Sequence, residues 1–345
     1  MSEASEITFE ELVEAARTFG IEHIGVTDTS VLERAREEIV RRRDAGLSDT
    51  LGFTYRNPDR STDPSRAYEG AQSVIAAAWP YFSPDTEADH GVQMHIAKYA
   101  RTGVYDELRF ALRELQKWLR QRGYRGVVFV DDNSIVDREV AWRAGLGWFG
   151  KNANILLPGA GSWFVLGCLV TTAQISAPRR RIPDGCGTCT RCIEACPTGA
   201  IVADGVIDAR RCLSWILQKP GSIDPEFRAA LGTRIYGCDD CQDACPPNAR
   251  FSVPVSIGET YREWIPALRV LSMSDAELLE EFDALYIADR DPRWLRRNAL
   301  VAIGNSGSGS DVEVVAVLNE YVASDDEILS EHARWSLENI MRDHS

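Results

Sequence analysis

The stretch from Cys186 to Cys245 holds eight of the chain's nine cysteines, and their spacing constrains this protein more than any other feature. CGTCTRCIEACP places Cys186, Cys189, Cys192 and Cys196 at C-x2-C-x2-C-x3-C with Pro197 directly behind. CDDCQDACP repeats the end of that run with Cys238, Cys241, Cys245 and Pro246, and Cys212 of RRCLSW stands between the two. Eight thiolates for two cubanes is the arithmetic of a bacterial two-cluster ferredoxin, in which the fourth cysteine of each run crosses to the other cluster. That rule gives one [4Fe-4S] cluster to Cys186, Cys189, Cys192 and Cys245. The other goes to Cys196, Cys212, Cys238 and Cys241. Short x2 gaps let a tight loop aim successive sulfurs at one cube, and the x3 gap with proline turns the last sulfur toward its neighbour. Zinc is the competing reading, since paired C-x2-C units also build structural zinc sites. Four cysteines at 2-2-3 spacing, echoed downstream, favour iron. Disulfides are disfavoured, because no secretory signal is visible and cytosolic thiols stay reduced.

A chain of 345 residues has room for two or three domains. No apolar run approaches the roughly 20 residues of a membrane span. The N-terminal MSEASEITFEELVEAA is acidic and amphipathic, unlike a secretory or mitochondrial signal, so the expected location is cytoplasmic with no membrane partner. A net charge of -14 argues against indiscriminate nucleic-acid binding, which depends on counterion release at a basic surface. It leaves room for a local basic patch. Arg179, Arg180, Arg181, Arg210 and Arg211 form the densest basic spots in the nearly neutral cysteine-bearing segment.

Hydrophobic periodicity predicts a helix over 6–20, with Thr8 as N-cap and Glu11 three residues on. IEHIGVTD alternates like a strand, and a helix over 31–45 stops at Gly46. SVIAAAWPYF (73–82) reads as a buried strand ended by proline, and 104–122 as an amphipathic helix ending at Gly123. GVVFVDD (126–132) reads as another buried strand, delivering two acids at the end where open sheets tend to bind ligands. AGLGWFGKN (144–152) is glycine-dense. Gly159–Gly161 predicts a hairpin between two apolar strands, the second holding Cys168 as a buried structural thiol. These elements predict an α+β sheet domain over 1–177, a ferredoxin-like domain over 178–253 and a helical domain over 254–345. In the last, RNALVAIGN (297–305) and HARWSLEN (332–339) align at a 34-residue offset, the spacing of HEAT-like helical repeats, with NSGSGS (305–310) as a loop between helices.

The motifs CGTCTRCIEACPTGAI, DARRCLSW and RIYGCDDCQDACPPN, with FVDDNSIVDREVAWRAGLGWFGKN and GSWFVLG upstream, resemble the epoxyqueuosine reductase family. The resemblance covers nearly the whole chain. It implies a nitroreductase-like cobalamin-binding sheet domain, a two-[4Fe-4S] domain, and HEAT-like repeats. It also implies a tRNA substrate, whose anticodon stem-loop carries epoxyqueuosine, and two-electron removal of the epoxide oxygen. An external electron donor such as a flavodoxin or ferredoxin system is implied, with the enzyme acting as a monomer. The family's proton donor is an aspartate matched here by Asp131. To stay protonated near neutrality its carboxyl needs a pKa raised by roughly three units, and burial and Asp132 are the expected causes. The same resemblance assigns cobalamin contacts to Arg56, Asp131, Lys151, Asn152, the backbone of Ile155, Ser214, Cys238 and Asp239. This chain departs from the family at Asp132-Asn133-Ser134, where a small residue and proline are usual, and at YARTGVYDE (99–107), which lacks the family's histidine. Other readings are a dehalogenase-like cobalamin and iron–sulfur reductase, or a ferredoxin-type electron-transfer module.

Overall fold

A computed structural model describes residues 6–88, 90–178, 181–251, 254–255, 262–309 and 311–342. Arg179 and Arg180 of the basic run, the 252–253 end of the expected ferredoxin-like domain and Ser310 of the NSGSGS loop lie outside them. The N-terminal part is built on a four-stranded antiparallel sheet. Its strands run in the order His23–Asp28, Ser73–Pro80, Phe164–Thr171, Gly126–Val130. The two central strands are almost wholly apolar because helices cover both faces, so alternate residues on either side meet protein. Ile75, Ala77, Val165 and Leu169 pack under helices Phe9–Thr18 and Val104–Gln121, with Leu12, Leu108, Leu112 and Leu115. Val74, Ala76, Leu166, Cys168 and Val170 face helices Glu33–Asp44 and Asp137–Arg143, with Ala35, Val140 and Ala141. Each leucine sealed here stabilises the fold by roughly 1.5–3 kcal/mol. Gly167 lets helix Val104–Gln121 settle on the sheet, since a Cβ there would lie 2.8 Å from the Leu112 side chain. Cys168 is fully buried, as predicted.

The predicted helix starts and stops have local causes. Thr8 and Glu11 form the reciprocal capping box, and Gly46 and Gly123 take the positive φ that ends a helix. Two expectations are corrected. Gly126–Val130 is an edge strand and mostly half-buried, since among the described residues only Phe164–Thr171 pairs with it. The Gly159–Gly161 turn does not join paired strands. Ile155–Leu156 pairs back onto Trp148–Phe149, which leaves Phe164–Thr171 free for the central position in the sheet.

A second, three-stranded sheet ties the chain together. Gln93–Ile96 lies between Arg234–Tyr236, in parallel, and Trp264–Pro266, antiparallel, so each expected domain contributes one strand. Beside it sits a charge cluster in which Lys98, Arg101 and Glu263 are buried and Asp85 and Asp243 are exposed. Lys98 contacts Asp85 and Asp243 at 3.0 and 3.2 Å, and Arg101 contacts Asp85 and Glu263 at 2.6 and 3.4 Å. Asp85, His95 and Glu263 converge closely enough to suggest a metal ion, but the Arg101 guanidinium already supplies the positive charge among them. The C-terminal part is helical: Ala267–Ser272, Asp275–Glu281, Arg293–Gly304, Val312–Val322 and Glu327–Arg342. Among the described residues no helix is long and apolar enough to cross a membrane.

Candidate iron–sulfur and reductase site

The eight cysteines gather as two groups of four. Cys186, Cys189, Cys192 and Cys245 wall a cavity of about 200 Å³, completed by Trp148, Gly150, Lys151, Asn152 and the two prolines after Cys245. Cys196, Cys212, Cys238 and Cys241 form the neighbouring group. Burial is the main force raising the thiols of Cys212, Cys238 and Cys241, and neighbouring groups add to it: Cys196 raises Cys212, Asp240 and then Cys212 raise Cys238, and both Cys238 and Cys212 raise Cys241. Cys192 also acts on Cys241, so the groups adjoin. Cys245 lines the cavity with Cys186, Cys189 and Cys192, and Cys196 acts on Cys212. A single zinc ion with Zn–S bonds of ~2.3 Å would draw its four sulfurs to within ~4 Å of one another. Among the described residues no three cysteine sulfurs lie within 4.8 Å of one another.

Asp131 follows strand Gly126–Val130 with a left-handed φ of 51° and remains partly open to solvent. Burial raises its pKa, Arg109 opposes this, and Asp132 adds to it. Arg109, which the motif reading missed, is held by Asp106 and donates to the Val130 carbonyl at 3.2 Å. The Asp132-Asn133-Ser134 departure has a structural account. Asp132 Oδ1 accepts from the Ser134 amide at 2.7 Å, and Ser134 Oγ accepts from Arg60 at 2.9 Å, so an Asx turn stiffens the loop where the family uses proline. Glu107, in the segment lacking the family's histidine, accepts from the Trp79 indole at 3.0 Å.

Residues of the cluster domain lie near Asp131. Asp131 raises the pKa of both Tyr105 and Tyr236, secondary to burial, and Tyr236 stands two residues before Cys238. Tyr99 OH accepts from Gln218 Nε2 at 3.4 Å, on the helix that follows Cys212. Arg138 donates to the Ala153 carbonyl at 3.2 Å and acts on Tyr105, Asp137 and Cys212. Asp239 is buried. One carboxyl oxygen accepts from the Lys98 amide at 2.7 Å, and the other has no partner among the described residues. Burial is the main reason its pKa rises to about 6.

The expected cobalamin contacts divide. Asp131 lies near Tyr236, two residues before Cys238, Ser214 follows Cys212 on its helix, and Asp239 is buried against Lys98. Lys151 instead pairs with Asp204 at 3.3 Å, and Asn152 donates to the Cys241 carbonyl at 3.3 Å; both line the first cysteine cavity. Ile155 is buried, with its strand paired to Phe149. Arg56 is exposed, its guanidinium beside Gly52. Tyr99, Tyr105, Tyr236, Asp137 and Arg138 carried no motif of their own. The available signal was their position within the YARTGVYDE, VDREVAW and RIYGC strings.

Two adjoining groups of four cysteines set against an α+β domain define an iron–sulfur oxidoreductase. Residues 185–248 match the family model described as "4Fe-4S double cluster binding domain", and residues 61–132 match "Epoxyqueuosine reductase QueG, DUF1730". The chain belongs to the epoxyqueuosine reductase family. It is 34% identical to the epoxyqueuosine reductase of Vibrio cholerae over 92% of this chain and 88% of that one. It is 30% identical to that of Lactococcus garvieae over 97% of each. Among solved structures it is similar to epoxyqueuosine reductase from Streptococcus thermophilus, with a TM-score of 0.87, 29% identity and coverage of 96% and 90% of the two chains. It is equally similar, with a TM-score of 0.87 and 29% identity, to an epoxyqueuosine reductase solved with an epoxyqueuosine-modified tRNA stem loop, covering 96% of this chain and 89% of that one.

Proposed function

We propose that this protein reduces epoxyqueuosine at the wobble position of tRNA to queuosine. Two electrons and two protons enter, the epoxide oxygen leaves as water, and a carbon–carbon double bond forms between the carbons it bridged. The observation that carries the reading is the Asp131 carboxyl, held with a raised pKa near Tyr236, which stands two residues before Cys238, in a chain similar to this family over nearly its whole length. An alkoxide is a poor leaving group, so the departing oxygen needs a proton, and Asp131 Oδ is the donor. Arg109 and Asp132 act in opposite directions on that proton.

Iron–sulfur clusters on the two cysteine groups carry the electrons inward, with Cys186, Cys189, Cys192 and Cys245 on one and Cys196, Cys212, Cys238 and Cys241 on the other. Cobalamin, in our reading, sits between Asp131 and Ser214. When bound it supplies low-valent cobalt, a strong nucleophile and electron source. The unpartnered Asp239 oxygen favours a further group beside it. Arg56, Ser214, Cys238 and Asp239 would hold it. The side chains of Lys151 and Asn152 are committed to Asp204 and Cys241, so the share of the 151–155 segment falls to its backbone, Ile155 included.

The nitroreductase-like character of 1–177, the ferredoxin-like unit over 178–253 and HEAT-like packing over 254–345 belong to the same proposal. In support of the last, Arg293–Gly304 and Glu327–Arg342, which carry the 34-residue match, pack side by side; Ser336 Oγ donates to the Leu300 carbonyl at 2.6 Å. The protein would act as a cytoplasmic monomer fed by a flavodoxin or ferredoxin system. The test is anaerobic reconstitution with iron, sulfide and cobalamin, then nucleoside mass spectrometry on tRNA containing epoxyqueuosine. Loss of one oxygen from the nucleoside is expected. An unchanged mass with iron-replete, corrinoid-loaded protein refutes the activity, and full turnover without corrinoid refutes the cobalamin assignment alone.

A further inference from the structure

The indole nitrogen of Trp148 is buried and has no hydrogen-bond partner among the described residues. Leaving such a donor unpaired costs roughly 1–3 kcal/mol, so folded proteins generally pair them. Absence of a partner alone would not decide the matter: Trp163 has none either, in the core of the sheet domain. What distinguishes Trp148 is its place on the wall of the cavity enclosed by Cys186, Cys189, Cys192 and Cys245. The ring edge that bears the nitrogen lies against Gly185, the residue before the first cysteine. A Cβ on Gly185 would stand 2.6 Å from Cζ2 and 2.9 Å from Cε2 of the indole. The main chain of Trp148 is held by pairing with Leu156, and a Cβ on Gly147 would meet the Leu156 carbonyl at 2.1 Å. Two glycines therefore let the indole come this close to the cysteine loop and let its strand approach its partner.

We propose that Trp148 donates its indole N–H to a sulfur of the cluster held by Cys186, Cys189, Cys192 and Cys245, and thereby raises that cluster's reduction potential. The cluster gains one negative charge on reduction, so a fixed N–H donor stabilises the reduced form more than the oxidised one. Trp148 is a positioning residue for electron entry, with no contact to the substrate claimed. The proposal rests on the cluster assignment above, which the iron content of the unmodified protein tests separately.

The experiment is a potentiometric titration of the reconstituted full chain, followed by electron paramagnetic resonance, beside Trp148→Phe. The variant should keep about eight irons. One midpoint potential should move negative, by about tenfold in the reduced-to-oxidised ratio at fixed potential, or ~59 mV for a one-electron couple. The other should stay in place. Two unchanged potentials in an iron-replete variant overturn the proposal. If the variant loses iron, the unmodified protein carrying 15N-indole tryptophan decides. A nitrogen coupling on one reduced cluster in double-resonance spectra supports the bond, and its absence overturns it.

Discussion

Replacing Arg297 by methionine should loosen the helix beside the second cysteine group without touching any cysteine. Arg297 lies on Arg293–Gly304 with no exposed surface. Its guanidinium donates to the carbonyls of Lys219 and Gly221 at 2.8 and 2.6 Å, and to those of Ile216 and Leu217 at 3.1 and 3.2 Å. These carbonyls terminate and follow helix Leu213–Gln218, where the negative end of the macrodipole welcomes a cation. Pro220 has no N–H to offer the Ile216 carbonyl, so the cap must come from elsewhere in the chain. Burial pulls the Arg297 pKa down to about 9, which still leaves it charged at neutral pH. In Arg297→Met, Asn298 still donates to the Leu217 carbonyl at 2.8 Å, which orphans those of Ile216, Lys219 and Gly221. At ~1–3 kcal/mol for each buried acceptor, and with the relieved cost of burying a charge set against it, the net loss is about 3 kcal/mol. Native-state hydrogen exchange reads this directly, as amides over 212–223 exchanging ~10²-fold faster while the 327–342 helix keeps its protection. Because Cys212 and Ser214 ride on this turn, the second cluster should also be lost to a chelator before the first. Exchange over 212–223 within threefold of the unmodified protein would refute the reasoning.

Asp131→Asn should lower turnover by ~10²–10⁴-fold with iron and corrinoid content unchanged, read by single-turnover nucleoside analysis. Since the raised pKa favours the protonated acid, activity of the unmodified enzyme should fall as pH rises through it, and this limb should vanish in the variant. Cys186→Ser and Cys245→Ser should abolish the same reduced-cluster signal, whereas Cys212→Ser and Cys241→Ser should abolish the other; pairing of Cys245 with Cys241 instead would overturn the crossover. His332 is buried as the neutral ring, with Nε2 accepting from the Ile223 amide at 3.1 Å and Nδ1 donating to the Ile328 carbonyl at 2.7 Å. Burial lowers its pKa to about 4, so the unfolded chain binds the extra proton between pH 6.5 and 4. Stability from this group is therefore complete above pH 6.5 and falls by up to about 3 kcal/mol toward pH 4. Exchange protection over 327–342, corrected for intrinsic rates, should show that loss, and His332→Gln should flatten it.

Much of the site was legible because its signals are local. Cysteine spacing sets which sulfurs one loop can aim together, the Thr8–Glu11 box and Gly123 act within a turn, and long apolar runs such as 73–80 declare a strand covered on both faces. The string around Asp131 was enough to single it out, and burial and Asp132 do raise its pKa. What stayed hidden depends on partners distant in sequence. Strands of three or four residues, such as Gln93–Ile96 and Trp264–Pro266, have no periodicity to read, and they exist because their backbone groups find one another across the chain. Gly126–Val130 is as apolar as a central strand, and only the sheet order made it an edge. Arg297 resembles any surface arginine beside Arg296 until helix Leu213–Gln218 offers it four carbonyls. Lys151 and Asn152 followed a motif toward cobalamin, but the nearest opposite charge and carbonyl, Asp204 and Cys241, claimed their side chains. The sequence by itself determined the run of eight clustered cysteines and the reductase family, since both are written in short contiguous strings. Tertiary structure alone decided which buried polar groups complete the site, because pairing and desolvation exist only once the chain has closed around them.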